Sequence, residues 1–331
     1  MRSTSSPPDV SVVVCTHRRP ALLRQLLDSI LRQKTALTFE VIVVDNDPAS
    51  GSVGAVPASF PSVHWTQEPR LGLSYARNAG IRTALADVVV LADDDIQVPP
   101  DWLEELVAPV RSEGYDAVTG PMFPLKLETE AERLFESYGG HGHARRRVQF
   151  DRAWLDRQRL YLPLWQIGCL GNAAVRREVF TARVGWLEVA LGVGTPAGAW
   201  EDLEYFYRML RAGCRILHAP VAAVRHVHRR DLAGLRRQLA GYRRGEVCFC
   251  LLTAVRYREP RALSHLLLWL PALYLKLFAQ ELGRRLRGRR LIPFSLMGHE
   301  LLAFASGPVA LGRALGRKRK LARQPPVPGG A

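Results

Sequence analysis

The first hundred positions contain three short runs of β-branched and other apolar residues, at 10–15, 41–44 and 88–91. Each run is nearly continuous rather than alternating, which is typical of strands buried on both faces of a parallel sheet. Between the runs, leucine and isoleucine recur at helical spacing over 22–31, and residues 72–85 form a second helical segment with small alanines. Strands that alternate with helices predict βαβ units, and therefore an α/β fold with a mainly parallel sheet flanked by helices.

The pattern continues beyond the third run, though less regularly. It predicts a helix that opens near 99–102, a strand at 115–120, an ordered segment at 171–177 and a last short strand at 221–224. Residues 126–160 are rich in charge and show neither period, so we expect them to be irregular.

Polar residues cluster where the three predicted strands end, at 16–18, 45–47 and 93–95. In open α/β sheets, ligands bind beyond the carboxyl ends of the strands. We therefore expect these three groups to line one site.

The three aspartates at 93–95 repel one another unless a cation neutralises them. Carboxylate oxygens suit Mg²⁺ or Mn²⁺, which typically bind one or two carboxylates together with substrate phosphates. A divalent-metal site is thus predicted here, and the alternatives are a solvated loop or a helix N-cap cluster. Asp45 and Asp47 can accept hydrogen bonds from a nucleobase or ribose, but with Asn46 and Pro48 they also make a typical turn sequence.

Two later groups of titratable residues also lie at the ends of predicted elements. Glu201 and Asp202 follow a glycine-rich loop at 192–198 and open a predicted helix. Because the helix dipole favours acidic residues in the first turn, these carboxylates are either helix-terminal or catalytic. His226 and His228 flank the end of the last predicted strand, where each is either a metal ligand or a surface histidine.

The net charge of +15 is unevenly distributed. Residues 225–331 hold 22 lysines and arginines against 5 acidic residues, whereas the first 224 residues hold 24 against 26. The high isoelectric point therefore describes the C-terminal third alone and does not indicate a nucleic-acid partner, so we expect none.

That basic third also contains the most apolar stretch of the chain, at 262–279. Its length is near the lower limit for a membrane span, and Pro271 would kink it. A second apolar stretch follows at 291–315, and basic clusters lie at 284–290 and 317–320. Apolar helices flanked by basic residues suit an anionic membrane surface, so we predict a cytoplasmic protein bound to or anchored in the inner face of the cell membrane. The alternatives are a helical hairpin packed on the first domain, or a dimer interface.

The five cysteines form no zinc-binding spacing and are odd in number, which indicates a reduced, cytosolic compartment. We expect a flexible polar lead-in at 1–9, an α/β domain at 10–235, a helical, basic and membrane-associated extension at 236–320, and a disordered tail at 321–331.

Five segments, taken in order, resemble those of family 2 glycosyltransferases with the GT-A fold. They are VSVVVCTHRRP at 10–20, VIVVDND at 41–47, GLSYARNAG at 72–80, LADDD at 91–95 and WEDLEYFYR at 200–208. The resemblance extends from residue 10 to about residue 230. It implies an inverting transfer of a sugar from a nucleotide-diphosphate sugar, with a UDP-sugar favoured, to the hydroxyl of a glycan or lipid-linked acceptor, and Mn²⁺ or Mg²⁺ as the cofactor.

The resemblance also implies roles for individual residues. The expected nucleotide-sugar-binding residues are Thr16, Arg18, Asp45, Asp47, Arg77, Asn78, Asp93 and Asp94. The expected metal ligands are Asp95, Asp93 and His226, and a register that uses Asp94 stays open. Asp202 matches the catalytic base and Glu201 its partner in the Glu-Asp motif. Asp202 would take the proton of the acceptor hydroxyl as that oxygen attacks the anomeric carbon.

Several motifs of other enzyme classes are absent from the sequence. It has no Walker-type G-x-x-x-x-G-K loop, no G-x-G-x-x-G after Cys15 and no glycine-rich first loop of the sugar nucleotidyltransferase kind. It also lacks the Q-x-x-R-W segment of processive synthases, which favours single additions, in cell-surface glycan or glycolipid synthesis. The alternative is a basic adaptor that binds membranes and carries a catalytically degenerate domain; the intact acidic motifs favour the enzyme.

Overall fold

The computed structural model describes residues 6–141, 145–287 and 293–323. The predicted lead-in at 1–9 and tail at 321–331 therefore lie partly outside the described residues. The strands are β1 (Val10–Thr16), β2 (Phe39–Asp45), β3 (His64–Gln67), β4 (Val88–Asp93), β5 (Ile96–Gln97), β6 (Ala117–Thr119), β7 (Met122–Pro124), β8 (Val148–Phe150), β9 (Asn172–Arg176), β10 (Ile216–His218) and β11 (Val224–His226). The α-helices are α1 (Pro20–Ile30), α2 (Val56–Ser59), α3 (Leu73–Thr83), α4 (Trp102–Ser112), α5 (Glu130–Ser137), α6 (Arg152–Arg157), α7 (Glu201–Arg211), α8 (Leu232–Tyr257), α9 (Pro260–Ser264), α10 (Leu270–Leu286) and α11 (Phe294–Ala322).

The larger sheet has the order β3-β2-β1-β4-β9-β6-β10-β8, and a smaller sheet has the order β5-β11-β7. Strands β3, β2, β1 and β4 are parallel to one another, as is the pair β6 and β10. Strand β9 runs antiparallel to both of its neighbours, and β8 runs antiparallel to β10. The predicted α/β fold is confirmed, and the sheet is mixed because β8 and β9 enter it in the opposite direction.

Strand β1 shows why its sequence is an unbroken apolar run. All of its residues are buried. Val12 and Val14 face one core, which also contains Leu23 of α1 and Trp102 of α4, and Val13 faces the core on the other side of the sheet. A strand covered on both faces has no position that favours a solvated side chain.

The packing of α3 on the sheet positions the polar residues at the strand ends. A Cβ atom at Gly80 would lie 2.4 Å from Val13 Cγ1 and 3.0 Å from Val44 Cγ2, so glycine permits an approach that a larger residue would obstruct. In the sheet, Thr16 pairs with Asp45, and Asp93 lies beside the residue before Thr16. The ends of β1, β2 and β4 are therefore level, and the first turns of α3 lie against them.

The expectation that residues 126–160 are irregular is wrong. This segment contains α5, β8 and α6, of 8, 3 and 6 residues. Elements this short complete too few periods to give a clear pattern. The start of α5 carries a capping box in which Thr129 and Glu132 satisfy each other's backbone amides, and this signal was available in the sequence.

The last strand is displaced from its predicted position. The prediction placed it at 221–224, whereas β11 begins at Val224 and ends at His226. Val221 is 64% exposed in the turn before the strand, so its apolar character does not reflect pairing. Strand β11 instead pairs with β5 and β7, and this places His226 inside the fold.

Helix α8 crosses the predicted domain boundary at residue 235. Its residues Val247 and Phe249 belong to the same core as Phe206 of α7. Helix α11 packs closely along α8, since a Cβ atom at Gly307 would lie 2.4 Å from Val247 Cγ1. The described helices of the extension therefore share their apolar core with the α/β domain.

Two segments of the extension, Pro260–Leu286 and Phe294–Ala322, are long and apolar enough to cross a membrane, and an 18-residue stretch in each has a mean hydropathy of 1.5 and 1.2, respectively. Only 28% and 33% of these apolar stretches is buried inside the protein. Leu267, Leu268 and Leu275 are 65%, 64% and 72% exposed. The extension thus combines one side packed on the domain with one broad exposed apolar side, a feature typical of interaction or membrane surfaces.

Candidate active site

A cavity of about 360 Å³ opens at the carboxyl ends of β1, β2 and β4. Small-molecule sites typically have volumes of about 300–1,000 Å³. The polar part of its lining comprises mainly Thr16, Arg19, Asn46, Asp93, Asp94, Asp95, His141, His226, Arg229, Gln238 and Tyr242. Because Gln238 and Tyr242 lie on α8, the helical extension forms part of the cavity wall.

Arg19 holds the second and third aspartates of the cluster. Its Nη1 donates to Asp94 Oδ1 at 2.9 Å and to Asp95 Oδ2 at 2.7 Å. Thr16 Oγ1 donates to the other oxygen of Asp94 at 2.8 Å. His226 Nε2 lies 3.4 Å from Asp95 Oδ1. The two aspartates are buried, and the arginine supplies positive charge that two neighbouring carboxylates need there.

Burial alters the charge that each of these aspartates carries. Burial and the neighbouring Asp95 raise the pKa of Asp94 to about 6. Burial acts on Asp95 in the same direction, but the adjacent His226 and Arg19 outweigh it and hold the pKa of Asp95 well below its usual range. Asp95 therefore stays ionised, and Asp94 is the first of the pair to take up a proton.

Sequence analysis selected Arg18 at this strand end, whereas the structure brings Arg19 into the cavity. Arg18 has a left-handed backbone with φ of 57°. Its side chain is 63% exposed and pairs with Asp47 outside the cavity. Arg19 directly precedes Pro20, which opens α1, and this helix start turns Arg19 towards the aspartates.

Arg77 joins two acidic motifs that are distant in the sequence, at 93–95 and 201–202. Its Nη2 donates to Asp93 Oδ1 at 2.7 Å, and its Nη1 donates to Glu201 Oε1 at 2.9 Å. Arg77 is only 3% exposed. One buried guanidinium therefore connects the end of β4 to the start of α7.

Helix α7 presents Glu201 and Asp202 in its first turn. The residue before it, Trp200, has φ of 73°, and its ring lies 5.2 Å from that of Phe249 in α8. Burial and then the charge of Glu201 raise the pKa of Asp202 to about 7. A carboxylate with this pKa is a stronger base than an ordinary aspartate, and about half of it is deprotonated near neutral pH.

Six further residues selected from the sequence lie outside the cavity lining, namely Asp45, Asp47, Arg77, Asn78, Glu201 and Asp202. Arg77 and Glu201 reach it only through the contact of Arg77 with Asp93. Asp45 ends β2 and accepts a hydrogen bond from the Asp47 amide at 2.9 Å. Residues 45–48 therefore form the turn that the sequence offered as the alternative to a nucleotide-binding role. The residue between them, Asn46, lines the cavity instead. Asn78 is buried in α3 and makes two hydrogen bonds with the backbone of Leu187. Asn78 thus holds the chain segment that leads into the glycine-rich loop.

Three histidines meet beside Asp95. His226 Nδ1 and His228 Nδ1 are 2.7 Å apart, and His228 Nε2 lies 2.8 Å from Glu136 Oε1. The ring of His141 lies 4.4 Å from the ring of His226, centroid to centroid. The sequence analysis did not select His141. Its only sequence signal is a run rich in glycine and histidine, and the residues that follow it, 142–144, lie outside the described part of the chain.

The donor atoms beside the cavity fit a hard divalent cation. Asp93 and Asp95 offer carboxylate oxygens, and His226 offers an imidazole nitrogen, a combination suited to Mn²⁺ and, for the oxygens, to Mg²⁺. The side chain of Asp93 is 32% exposed, the most accessible of the three aspartates. A nucleotide phosphate could complete the coordination from the cavity side.

Comparison with known sequences identifies a family. The sequence profile described as "Glycosyl transferase family 2" matches residues 11–183. The succinoglycan biosynthesis protein ExoM of Rhizobium meliloti is 29% identical over 65% of this chain and 65% of its own length. The glucosyl-dolichyl phosphate glucuronosyltransferase of Haloferax volcanii is 36% identical over 30% of this chain and 33% of its own. In both relatives, the match spans less than two thirds of their length.

Solved structures share the fold. The mannosyltransferase PcManGT of Pyrobaculum calidifontis, in complex with GDP-Man and Mn²⁺, has a TM-score of 0.53 and 19% identity, covering 98% of this chain and 78% of that one. Residues 1–349 of TarS from S. aureus, in complex with UDP-GlcNAc, have a TM-score of 0.52 and 14% identity, covering 74% and 66%. At these identities the likeness shows the fold alone, and it confirms the expected GT-A fold.

The buried bridge of Arg77 predicts a large loss of stability for Arg77→Gln. The substitution leaves Glu201 buried without its cation, and breaking a buried ion pair from one side costs about 3–5 kcal/mol. Urea unfolding, followed by circular dichroism, measures the change.

Arg18→Gln is the matched control, because Arg18 also pairs with an aspartate but is mostly exposed. An exposed pair contributes about 0–1 kcal/mol. Equal losses in the two variants would contradict the structural role assigned to Arg77.

Proposed function

The chain belongs to glycosyl transferase family 2, and we propose that it is an inverting enzyme that moves one sugar from a nucleotide-diphosphate sugar to an acceptor hydroxyl. The observation that supports this most directly is the bridge of Arg77 between Asp93 and Glu201. It connects the end of β4, where a metal ion and a diphosphate would bind, to the start of α7, where a general base would lie. Both elements of a displacement reaction are thus fixed relative to each other.

In this proposal, the donor lies in the cavity at the ends of β1, β2 and β4. Thr16 and Asn46 line the part of the cavity that takes the base and ribose, and the diphosphate lies near the aspartate cluster. Arg18, Asp45 and Asp47, to which the resemblance gives the same role, lie outside the lining and contact one another instead. Asp93 and Asp95 hold Mn²⁺ or Mg²⁺, with His226 beside Asp95. When bound, the ion offsets the charge that develops on the departing diphosphate.

Two of the solved relatives hold different nucleotide sugars, GDP-Man and UDP-GlcNAc. We keep the UDP-sugar as the favoured donor and treat the base as a measurable quantity. Arg77 and Asn78 act indirectly in the structure, since Arg77 orients Asp93 and Asn78 holds the loop that precedes α7.

Asp202 is the proposed general base. It accepts the proton of the acceptor hydroxyl while that oxygen attacks the anomeric carbon from the face opposite the diphosphate, and a single displacement inverts the configuration. The neighbouring Glu201 raises the proton affinity of Asp202 through its charge and is itself held by Arg77. Holding both substrates in line contributes much of the rate.

The exposed apolar side of the extension suits a membrane surface. On α10, Leu275, Phe278, Leu282 and Leu286 recur every three or four residues, and each is more than 40% exposed. Basic residues follow at once, among them Arg287. We propose that this side contacts the anionic inner face of the membrane, where a lipid-linked acceptor would be within reach of the cavity. One relative is named for succinoglycan biosynthesis and another for a glucosyl-dolichyl phosphate substrate. These names support a glycan or lipid-linked acceptor.

Donor binding predicts a metal-dependent rise in melting temperature. UDP-, GDP- and dTDP-sugars are tested with and without Mn²⁺. A ligand present at about 100 times its Kd contributes about 2.7 kcal/mol, which raises Tm by several degrees. One nucleotide should give this rise with Mn²⁺ only.

Asp95→Ala should abolish the Mn²⁺-dependent rise, whereas Asp87→Ala should retain it, because the Asp87 side chain is 99% exposed and remote from the cavity. If no nucleotide sugar shifts Tm, the chain is instead the degenerate adaptor. An unchanged rise in Asp95→Ala would assign the ion to other aspartates.

Asp202→Asn should lower kcat at least about a hundredfold, because the amide keeps the shape of the carboxylate but cannot take a proton. The Mn²⁺-dependent shift of Tm by the donor should stay. In the wild type, activity should rise with pH and level off by about 7 or below, since Asp202 acts as a base only when deprotonated, its pKa is raised to about 7 in the metal-free protein, and a bound cation lowers that pKa. Release of nucleoside diphosphate in the presence of acceptor measures both effects.

The corresponding control is Asp87→Asn, whose rate and pH profile should match the wild type. Retention of more than about a tenth of the wild-type turnover in Asp202→Asn would exclude Asp202 as the base.

Membrane binding predicts that the full chain floats with vesicles of phosphatidylcholine and phosphatidylglycerol at low salt. The double variant Leu267→Gln, Leu268→Gln should float at least about tenfold less, because each buried leucine contributes about 1.5–3 kcal/mol. Val221→Gln is matched to it, since Val221 is 64% exposed but lies in the α/β domain. If the wild type stays at the bottom of the gradient, the apolar side is covered by protein instead, and sedimentation should then show a dimer.

A further inference from the structure

The end of helix α11 reaches the wall of the donor cavity. Arg317 lies in the last two turns of this helix, and its side chain donates to two backbone carbonyls. Its Nη1 donates to the Gly194 oxygen at 2.7 Å, and its Nη2 donates to the Leu71 oxygen. Leu71 and Gly194 both line the cavity. A guanidinium of the helical extension therefore binds the backbone of two segments that form the cavity wall.

These two segments are far apart in the sequence. Leu71 precedes α3, and Gly194 lies in the glycine-rich loop that leads towards α7. The loop also contacts the start of α3 directly, because the Leu73 amide donates to the Val193 oxygen at 2.9 Å. Arg317 adds a second link between the same two segments, so the loop is held against α3 by a side chain as well as by the backbone.

The backbone of this loop has unusual freedom. Gly194 has φ of 84°, and a Cβ atom there would lie 3.1 Å from Gly72 Cα, so glycine permits both the conformation and the close approach to α3. Glycine also loses more conformational entropy than other residues when it is held in one conformation. A side chain that binds the Gly194 carbonyl therefore affects directly how often the loop lies against α3.

The next residue of α11 holds the chain just before the loop. Lys318 Nζ donates to both carboxylate oxygens of Glu188, at 2.7 and 2.9 Å. Arg256 of α8 donates to one of these oxygens at 2.6 Å. Glu188 is only 5% exposed, so its buried carboxylate depends on these cations. Two consecutive residues of α11 thus fix the loop and the segment that leads into it.

The loop is also adjacent to the proposed catalytic residues. A Cβ atom at Gly192 would lie 3.1 Å from Glu201 Cδ, so the start of the loop is in close contact with this side chain. Glu201 opens α7 three residues after the loop ends. A displacement of the loop would therefore alter the cavity wall and the surroundings of Glu201 together.

We propose that Arg317 is a positioning residue of the donor site, which holds the glycine-rich loop in the conformation that binds a nucleotide sugar. The inference rests on the proposed transfer of a sugar from such a donor. It also changes the interpretation of the basic cluster at 317–320, which the sequence analysis predicted to lie at a membrane surface. Arg317 and Lys318 bind the protein itself. Arg319 and Lys320 are the exposed members of the cluster.

Steady-state kinetics of Arg317→Gln test the proposal. When only a fraction of the molecules has the loop in its binding conformation, the apparent donor affinity falls by that fraction. We expect the donor KM to rise about tenfold, because a charged donor to two carbonyls is lost. The kcat should change less than about threefold, since a saturating donor holds the loop in place. Arg317→Lys should give an intermediate KM, because an ammonium does not reproduce the fork geometry of a guanidinium.

Hydrogen exchange of the loop amides measures the same effect without activity. The amides at 192–199 should exchange at least about tenfold faster in Arg317→Gln than in the wild type. Arg313→Gln is the matched control, because Arg313 lies about one turn earlier on α11 and is exposed. Its donor KM and its loop exchange should match those of the wild type. Circular dichroism establishes that each variant is folded, and Arg317→Lys replaces Arg317→Gln if the latter is not.

The proposal is wrong if the loop exchanges at the same rate in the folded Arg317 variant as in the wild type. It is equally wrong if exchange is faster but the donor KM is unchanged, since Arg317 would then have a structural role alone. Absence of nucleotide-sugar binding to the wild type would instead overturn the proposed transfer activity, and hydrogen exchange would then decide by itself whether Arg317 holds the loop.

Discussion

The buried ion pairs of Arg77 with Asp93 and Glu201 determine how the two halves of the site meet. The three residues come from α3, β4 and α7, which are distant in the sequence. Carboxylates placed this close repel one another and lose hydration unless a fixed cation lies between them. A guanidinium can donate in two directions from one rigid plane, which a lysine ammonium cannot do with the same geometry. The side chain of Arg77 therefore links the start of α7 to the end of β4.

The sequence predicts the parts of the site that strand ends impose. Unbroken β-branched runs predict buried parallel strands, and parallel strands bring Thr16 and Asp93 to one edge, as the structure has them. The choice of Arg18 over Arg19 could not be made from the pattern, because it depends on the backbone turn before α1. Likewise, the contact of His228 with Glu136 joins residues 92 positions apart, through a helix whose eight residues give little periodic signal.

The helical extension is part of the site rather than an appendage. Tyr242 and Gln238 of α8 line the cavity, and Phe249 of the same helix packs against Trp200, the residue before Glu201. The same helix is packed along its length by α11. A surface on α10 and α11 is thus connected to the cavity through a continuous apolar core. If that surface rests on a membrane, the orientation of the cavity towards the membrane follows from the packing of α8.

One divalent cation would balance the charges of the site. The described part of the site brings together five carboxylates, those of Asp93, Asp94, Asp95, Glu201 and Asp202. Three guanidinium groups face them, from Arg19, Arg77 and Arg229. The remaining two negative charges are incompletely compensated, and burial together with this deficit raises the pKa values of Asp94 and Asp202. A bound divalent cation would supply the two missing positive charges, lower both pKa values and leave Asp202 more fully ionised, so metal binding and the availability of the proposed base are electrostatically coupled.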